Sequence, residues 1–306
     1  MKKNALIMMR RRDLLALAAA VPARSASAGA VKIHASTYAM QTLDVVSAIE
    51  RLRAIGYDGA ELCLMPGWPS EPAKLDTAAR RLVRAAGFPV PTLIENFNTL
   101  VDDAAHARIL DRIRAAATLA HDIVPGNPPL LQSVLGGKPD EWEQVKEKMA
   151  SRLADWAGVA QQSRIRLAVK SHIGSASNTP EKLIWLLDRV KNPGLSAIYD
   201  YSHFQLLNLD LTTTLDTLLP RTSFLTVKDG RMVNGTPQFL LPGDGTVDYV
   251  RYFEILKSRR YTGWMLFEIS RQLQTQPGFD PVEAARRSYM NLAPVLRKAG
   301  LRDAKA

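Results

Sequence analysis

From residue 29 onward the chain alternates short apolar runs with longer stretches whose apolar residues recur at helical spacing, and each kind occurs eight times. Apolar runs of a few residues with branched side chains read as buried strands, and a helix-length spacer between them reads as a crossover. The runs are 31–37, 59–64, 90–95, 130–135, 167–170, 196–200, 223–227 and 263–269. The helical stretches are 42–55, 74–86, 102–121, 139–163, the segment opening at Thr179, 211–219, 247–258 and 281–299. Gly56 and Gly87 stop the first two, and Thr179-Pro180 opens the fifth with a cap and a first-turn proline. Residues 234–245, rich in Gly and Pro, read as a loop. Eight strands alternating with eight helices over ~270 residues are the numbers of a (β/α)8 TIM barrel, taken as a single domain over 29–306. A doubly wound open sheet is the runner-up. The first strand–helix turn carries no Gly-rich phosphate fingerprint, which weighs against it.

In such a barrel the polar residues at the C-terminal strand ends form the site. Lys170 follows Leu167-Ala-Val, Asp200 follows Ala197-Ile-Tyr, and Glu268 follows Met265-Leu-Phe. A charge at the end of an apolar run is costly unless something pairs it. Mutual pairing, a bound cation and a substrate are the three solutions. His172 and His203 lie just beyond two of these ends. Glu61, Glu95, Thr226, Lys228 and Asp229 occupy other strand ends, and Arg231 follows. Trp68, in Pro66-Gly67-Trp68-Pro69, suits an aromatic wall over a bound ring. The plainer reading of Lys170, Asp200 and Glu268 is a structural ion-pair network.

The N-terminus reads as a targeting segment. Arg10-Arg11-Arg12 precedes the apolar run 14–21, and Ala26-Ser27-Ala28 follows as a small-residue cleavage site. Arg11-Arg12-Asp13-Leu14-Leu15 resembles a twin-arginine signal, so residues 1–28 are expected to be removed on export to a bacterial periplasm. The apolar run is shorter than the roughly 20 residues a spanning helix needs, so no stable membrane insertion is expected. That segment carries a net +5 of the chain's +10. The remaining positive charge is diffuse, with no basic stripe interleaved with aromatics, so nucleic acid is not an expected partner. Cys63, the single cysteine, excludes an intramolecular disulfide and reads as a small buried side chain.

Several of these motifs together resemble the xylose isomerase-like TIM-barrel family, often labelled sugar phosphate isomerase/epimerase. They are Lys170-Ser-His172, Asp200-Tyr-Ser-His203, Val227-Lys228-Asp229, Pro242-Gly243-Asp244-Gly245 and Glu268. The resemblance spans Ile33 to about Leu296 and implies a divalent metal (Mn, Mg or Zn) at the barrel mouth, held by Glu, Asp, His and Glu of strands five to eight. Asp200 and Glu268 match two of those ligands. Lys170 stands where the strand-five Glu is expected, a variation that looks like an exported branch of the family, and Thr226 stands where the strand-seven His is expected. By resemblance, His172, His203 and Arg231 contact substrate.

The expected function is therefore proton transfer next to a carbonyl of a sugar or keto-sugar, as isomerisation, epimerisation or elimination. Glu268 is the expected base. Lys170 is expected to stabilise the oxyanion or exchange protons. Asp200 orients it or binds metal, and His172, His203, Arg231, Glu95 and Trp68 bind substrate. Lys170 could replace the metal, act as a base with lowered pKa, or stand beside a metal site rebuilt from Asp200, Glu268 and the two histidines. The expected partners are a small sugar or sugar derivative and the twin-arginine export machinery, with homodimerisation left open. The alternative is a non-catalytic periplasmic carbohydrate-binding protein on a degenerate barrel.

Overall fold

The computed structural model describes residues 30–303. The signal segment and its cleavage site lie outside the described residues. The strands are β1 (Lys32–Ser36), β2 (Gly59–Cys63), β3 (Thr92–Ile94), β4 (Leu130–Val134), β5 (Leu167–Lys170), β6 (Leu195–Asp200), β7 (Thr222–Val227), β8 (Asp229–Val233), β9 (Thr236–Leu240) and β10 (Trp264–Phe267). Eight of them, β1 to β7 and β10, pair in parallel and close, with β10 joining β7 to β1. Closure settles the choice between barrel and open sheet.

The helices are α1 (Val45–Ile55), α2 (Thr77–Ala85), α3 (Asp103–Ile123), α4 (Trp142–Gln162), α5 (Pro180–Val190), α6 (Tyr201–Gln205), α7 (Leu211–Leu218), α8 (Tyr249–Ser258), α9 (Arg271–Gln274) and α10 (Pro281–Lys298). Most of the longer ones share one starting device. Asp44, Asp76, Asp102, Thr179, Asp210, Asp248 and Asp280 each accept a backbone N–H of the first turn. Each such cap is worth about 1 kcal/mol. The two ends of the described stretch are fastened together, since Val31 N–H donates to the Leu301 carbonyl at 2.7 Å and Arg302 pairs with Asp58.

Strand side chains alternate between faces with a period of two. In the barrel one parity points inward and the other toward the helices. The inward layer Leu130, Ala168, Ile198, Phe224 and Leu266 forms its own buried cluster. Two residues further along the same strands stand Gln132, Lys170, Asp200, Thr226 and Glu268. Lys228 continues the parity of Phe224 and Thr226. Apolar residues thus plug the middle of the barrel, and the next layer up is ionisable. Tyr199, of the opposite parity, faces α7 and meets the Thr214 hydroxyl at 3.0 Å.

One stretch departs from the sequence reading. Residues 234–245 are not all loop: Thr236–Leu240 is β9, antiparallel to β8. The turn is Asn234-Gly235, with φ of 49° and 75°. Two successive positive φ values make the tight turn whose twist suits a hairpin, and Asn-Gly is the pair that tolerates it. The following loop is tied down by Asp229, whose carboxylate accepts the N–H groups of Gly243 at 2.7 Å and Val247 at 3.2 Å.

Candidate active site

The inward parity brings four charges from four strand ends together. Lys170 Nζ lies 2.6 Å from Glu268 Oε2 and 3.2 Å from Asp200 Oδ2. Lys228 Nζ lies 2.7 Å from Glu268 Oε1 and 3.3 Å from the same Asp200 oxygen. Two ammoniums and two carboxylates therefore alternate around a closed ring. The free Asp200 oxygen, Oδ1, accepts the Ser202 hydroxyl at 2.6 Å and the Ser202 N–H at 3.2 Å, which starts α6. All four side chains are buried.

Electrostatics inside the ring follow from its geometry. Burial alone would raise the Glu268 carboxyl, but Lys170 and Lys228 outweigh it and hold it at about 2. Asp200 is likewise lowered, against its own burial, by Lys228 and Lys170. Burial would strip the proton from Lys170, yet Glu268 and Asp200 reverse this and hold it above the ordinary lysine value. Paired with two carboxylates, Lys170 is favoured as a cation over the lowered-pKa base among the sequence alternatives.

His172 and His203 cap the ring, their centroids 4.2 Å apart. Burial, and then Lys228 and Lys170, push His172 down to about 4. Its Nδ1 accepts the Gly174 N–H at 3.1 Å, so the proton of the neutral ring sits on Nε2. His203 is pushed far down by burial and Lys228. Being neutral, it makes no ion pair with Asp200 despite its Nε2 lying 3.4 Å from Oδ2. Phe239 of the hairpin packs edge-on against His203 and covers the Lys228 ammonium at 4.9 Å.

A cleft of about 340 Å³ opens above the ring. Lys170, Lys228, Glu268 and His172 reach its floor, and Asn96, Asn98, Ser175, Tyr38 and Arg271 stand among its walls. Asp200 and His203 lie beneath and hold the floor in place. A larger groove of about 440 Å³, bounded by Phe88, Pro91, Pro125 and Trp264, lies at the opposite end of the barrel. Its charged residues, Arg84 and Arg166, are exposed, and no acid–base constellation faces it.

Three residues expected to touch substrate stand elsewhere. Glu95 has the parity opposite to Thr92 and Ile94, so it faces α3, where Arg112 holds it at 2.8 and 2.9 Å. Arg231 lies on the exposed hairpin and donates to Gln238 Oε1 at 2.7 Å, away from the cleft lining. Trp68 stacks on Tyr38 with centroids 5.6 Å apart and donates to the Tyr38 carbonyl at 2.9 Å, so it backs the wall that Tyr38 lines. The sequence reading assigned Lys228 no role, although it shares the parity of Phe224 and Thr226. That alternation was the available signal. Asn96 and Asn98 come from a loop, and Tyr38 and Arg271 from one-turn helices just after their strands, where no periodicity marks them.

A family model described as xylose isomerase-like TIM barrel matches residues 49–293. The chain belongs to that family. An inosose dehydratase of Mesomycoplasma hyopneumoniae is 24% identical over 223 residues, covering 66% of this chain and 71% of that protein. Among solved structures, the 3-keto-D-glucoside 4-epimerase of E. coli superposes with a TM-score of 0.67 at 17% identity, over 88% of this chain and 99% of that one. The IOLI protein with a bound zinc atom gives 0.71 at 16% identity, over 88% and 99%. The dehydratase and the epimerase are enzymes, in keeping with an isomerase, epimerase or keto-sugar lyase.

The zinc-bound relative raises the question of whether this xylose isomerase-like barrel offers a metal site. Its residues do not fit one. Both carboxylates that would ligate are already bridged by two ammoniums, which cannot donate a lone pair. Thr226 contributes a hydroxyl without a hydrogen-bond partner where an imidazole would be needed. Among the described residues, no group of three His, Cys, Asp or Glu converges with ligand geometry. The barrel mouth is filled by the protein's own cations.

Proposed function

We propose that this barrel is an enzyme that moves a proton at the carbon next to the ketone of a keto-sugar or keto-polyol, and that the two lysine ammoniums carry the charge. The single observation behind this reading is the Glu268 carboxylate clamped between Lys170 and Lys228 on the cleft floor. The dehydratase and epimerase names among the relatives support it, because epimerisation and dehydration of a keto-sugar can share that first step.

Glu268 is ionised and faces the cleft, so it is the base in this reading. A carboxylate held at about 2 is a weak base on its own. The ring removes much of that penalty. When the proton leaves carbon for Glu268, the negative charge passes from the carboxylate to the enediolate oxygen. Both sites lie within reach of the same two ammoniums, so the cations follow the charge at little cost. Asp200 keeps the lysines in place from below. His172 donates its Nε2 proton to a substrate oxygen. No observation favours the non-catalytic binding protein. Export to the periplasm rests on residues 1–28 and stands as a proposal from sequence.

The test is hydrogen exchange in deuterium oxide, followed by NMR with 3-keto-glucosides and inososes. Wild type should exchange the proton next to the ketone, and Glu268→Gln should not. Undiminished exchange in that variant, or none in wild type with any keto-sugar, removes the proposal.

A further inference from the structure

The four-charge ring is electrically neutral, and one cation on the cleft wall is left over. Arg271 opens α9, just beyond Glu268 and Ser270, and lines the same cleft. Its guanidinium lies over the Trp68 ring at 5.5 Å, and Trp68 in turn stacks on Tyr38. Its hydrogen bonds both leave from Nη1, to Gln41 Oε1 at 3.4 Å and Gln274 Oε1 at 3.1 Å. Both partners are neutral amides. Among the described residues no carboxylate pairs with Arg271, whereas Arg112, Arg221, Arg259 and Arg302 each have one. The Nε and Nη2 edge, the fork that takes a carboxylate through two parallel bonds, is therefore unused while the group itself is held by a ring and two amides.

We propose that the substrate of this site is anionic, a keto-sugar acid, and that Arg271 is the specificity-determining residue that binds its carboxylate. This rests on the proton-transfer reading of the same cleft. The neutral walls, with Asn96, Asn98, Ser175 and Ser270, supply hydroxyl partners along the chain of the sugar. A carboxylate at one end sets the ketone at the other over Lys170 and Lys228. The formal charges agree: with the ring balanced, the acid's single negative charge is matched by the one arginine among the residues lining the cleft.

The experiment measures binding, so it does not depend on turnover. Titration calorimetry compares 5-keto-D-gluconate with L-sorbose, which differs only in carrying a hydroxymethyl group in place of the carboxylate. Wild type should bind the acid at least tenfold more tightly, the scale of a charge-assisted hydrogen bond. Arg271→Met should lose that preference with its affinity for L-sorbose unchanged, and Arg271→Lys should recover part of it, being a cation without the fork. Equal affinity for the two sugars in wild type, no measurable binding of the acid, or a preference that survives in Arg271→Met overturns the proposal. Deuterium exchange on the same samples reports separately on proton transfer, so a failure of that reading is visible apart from a failure of this one.

Discussion

Lys228 donates to Glu268 Oε1 at 2.7 Å, on the carboxylate oxygen opposite the one that Lys170 holds. Each lysine is thus half of a clamp, and removing either leaves a buried carboxylate with one cation. Breaking a buried pair in this way costs about 3–5 kcal/mol. Lys228→Met and Lys170→Met should each lose stability on that scale by urea unfolding. Each should also lower kcat/KM by roughly two to three orders of magnitude, as for loss of one oxyanion donor. In Lys170→Met the added loss of Glu268, as Glu268→Gln, should cost far less than the sum of the two single changes. Strict additivity would mean that the ring is not a coupled unit.

The clamp also fixes the acid limb of stability. Glu268 sits at about 2 in the folded chain against an ordinary value of 4.5, so its contribution is complete above pH 4.5 and disappears as pH falls toward 2. Asp200, also lowered, adds in the same direction. Unfolding between pH 5 and pH 2.5 should therefore steepen in wild type and be shallower in Glu268→Gln. Identical acid profiles for the two proteins would contradict the clamp.

Cations built into the protein make an added one superfluous. Dialysis against a chelator should leave activity unchanged, and elemental analysis of the purified chain should find metal well below one equivalent. Calorimetry with Mn²⁺ or Zn²⁺ should show no binding at the ring. Lys170→Glu combined with Lys228→Met and Thr226→His removes both ammoniums and adds a carboxylate and an imidazole beside Asp200 and Glu268. That variant should acquire measurable Zn²⁺ affinity. Stoichiometric metal in wild type, lost together with activity on chelation, would sink the metal-free reading.

Much of the barrel was legible because its two periods are physical. Strands buried on both faces read as continuous apolar runs, and the helices between them start at Asp and Thr caps visible in the sequence. The same alternation that buries Ile198 and Leu266 predicts that Asp200 and Glu268 point inward. Glu95 was misplaced because its strand end was noticed and its parity was not. The β8–β9 hairpin was missed because a run of Gly and Pro masked the Asn234-Gly235 turn. Arg271 and Tyr38 could not be read at all, since each lies in a single helical turn too short to show a period and reaches the cleft through tertiary placement. The pairing of Lys228 with both carboxylates is equally a property of barrel closure.

Gly136 ties the cleft wall to the backbone. It has φ of +76°, lines the cleft, and bridges to Thr99. A methyl group there would run into the Asn98 carbonyl. Gly136→Ala should cost about 1–3 kcal/mol from the left-handed backbone, with the clash in addition. Because Asn98 lines the cleft, substrate KM should rise more than kcat falls. A variant with wild-type stability and KM would show that this wall is pliable.

Glu61 offers a titration in which the sign is opposite to that of Glu268. It lies inside the barrel with no exposed surface, and its Oε2 accepts the Thr92 hydroxyl at 2.9 Å and the Gln132 amide. Among the described residues no cation touches it. Burial raises it to about 7, and the hydrogen bonds from Ser36, Gln132 and Thr92 offset only part of that. The folded chain therefore holds a proton on Glu61 that the unfolded chain has already released above pH 4.5. Its contribution is complete below pH 4.5 and falls away as pH rises through about 7, by up to about 3 kcal/mol at full titration. Glu61→Gln imitates the protonated acid and cannot titrate. Urea unfolding of both proteins at pH 5 and pH 8 should show the variant gaining on wild type at the higher pH, with every other titrating group cancelling from the difference. A stability difference that does not move between pH 5 and pH 8 would mean that Glu61 is ionised throughout, and that a partner for it exists inside the barrel.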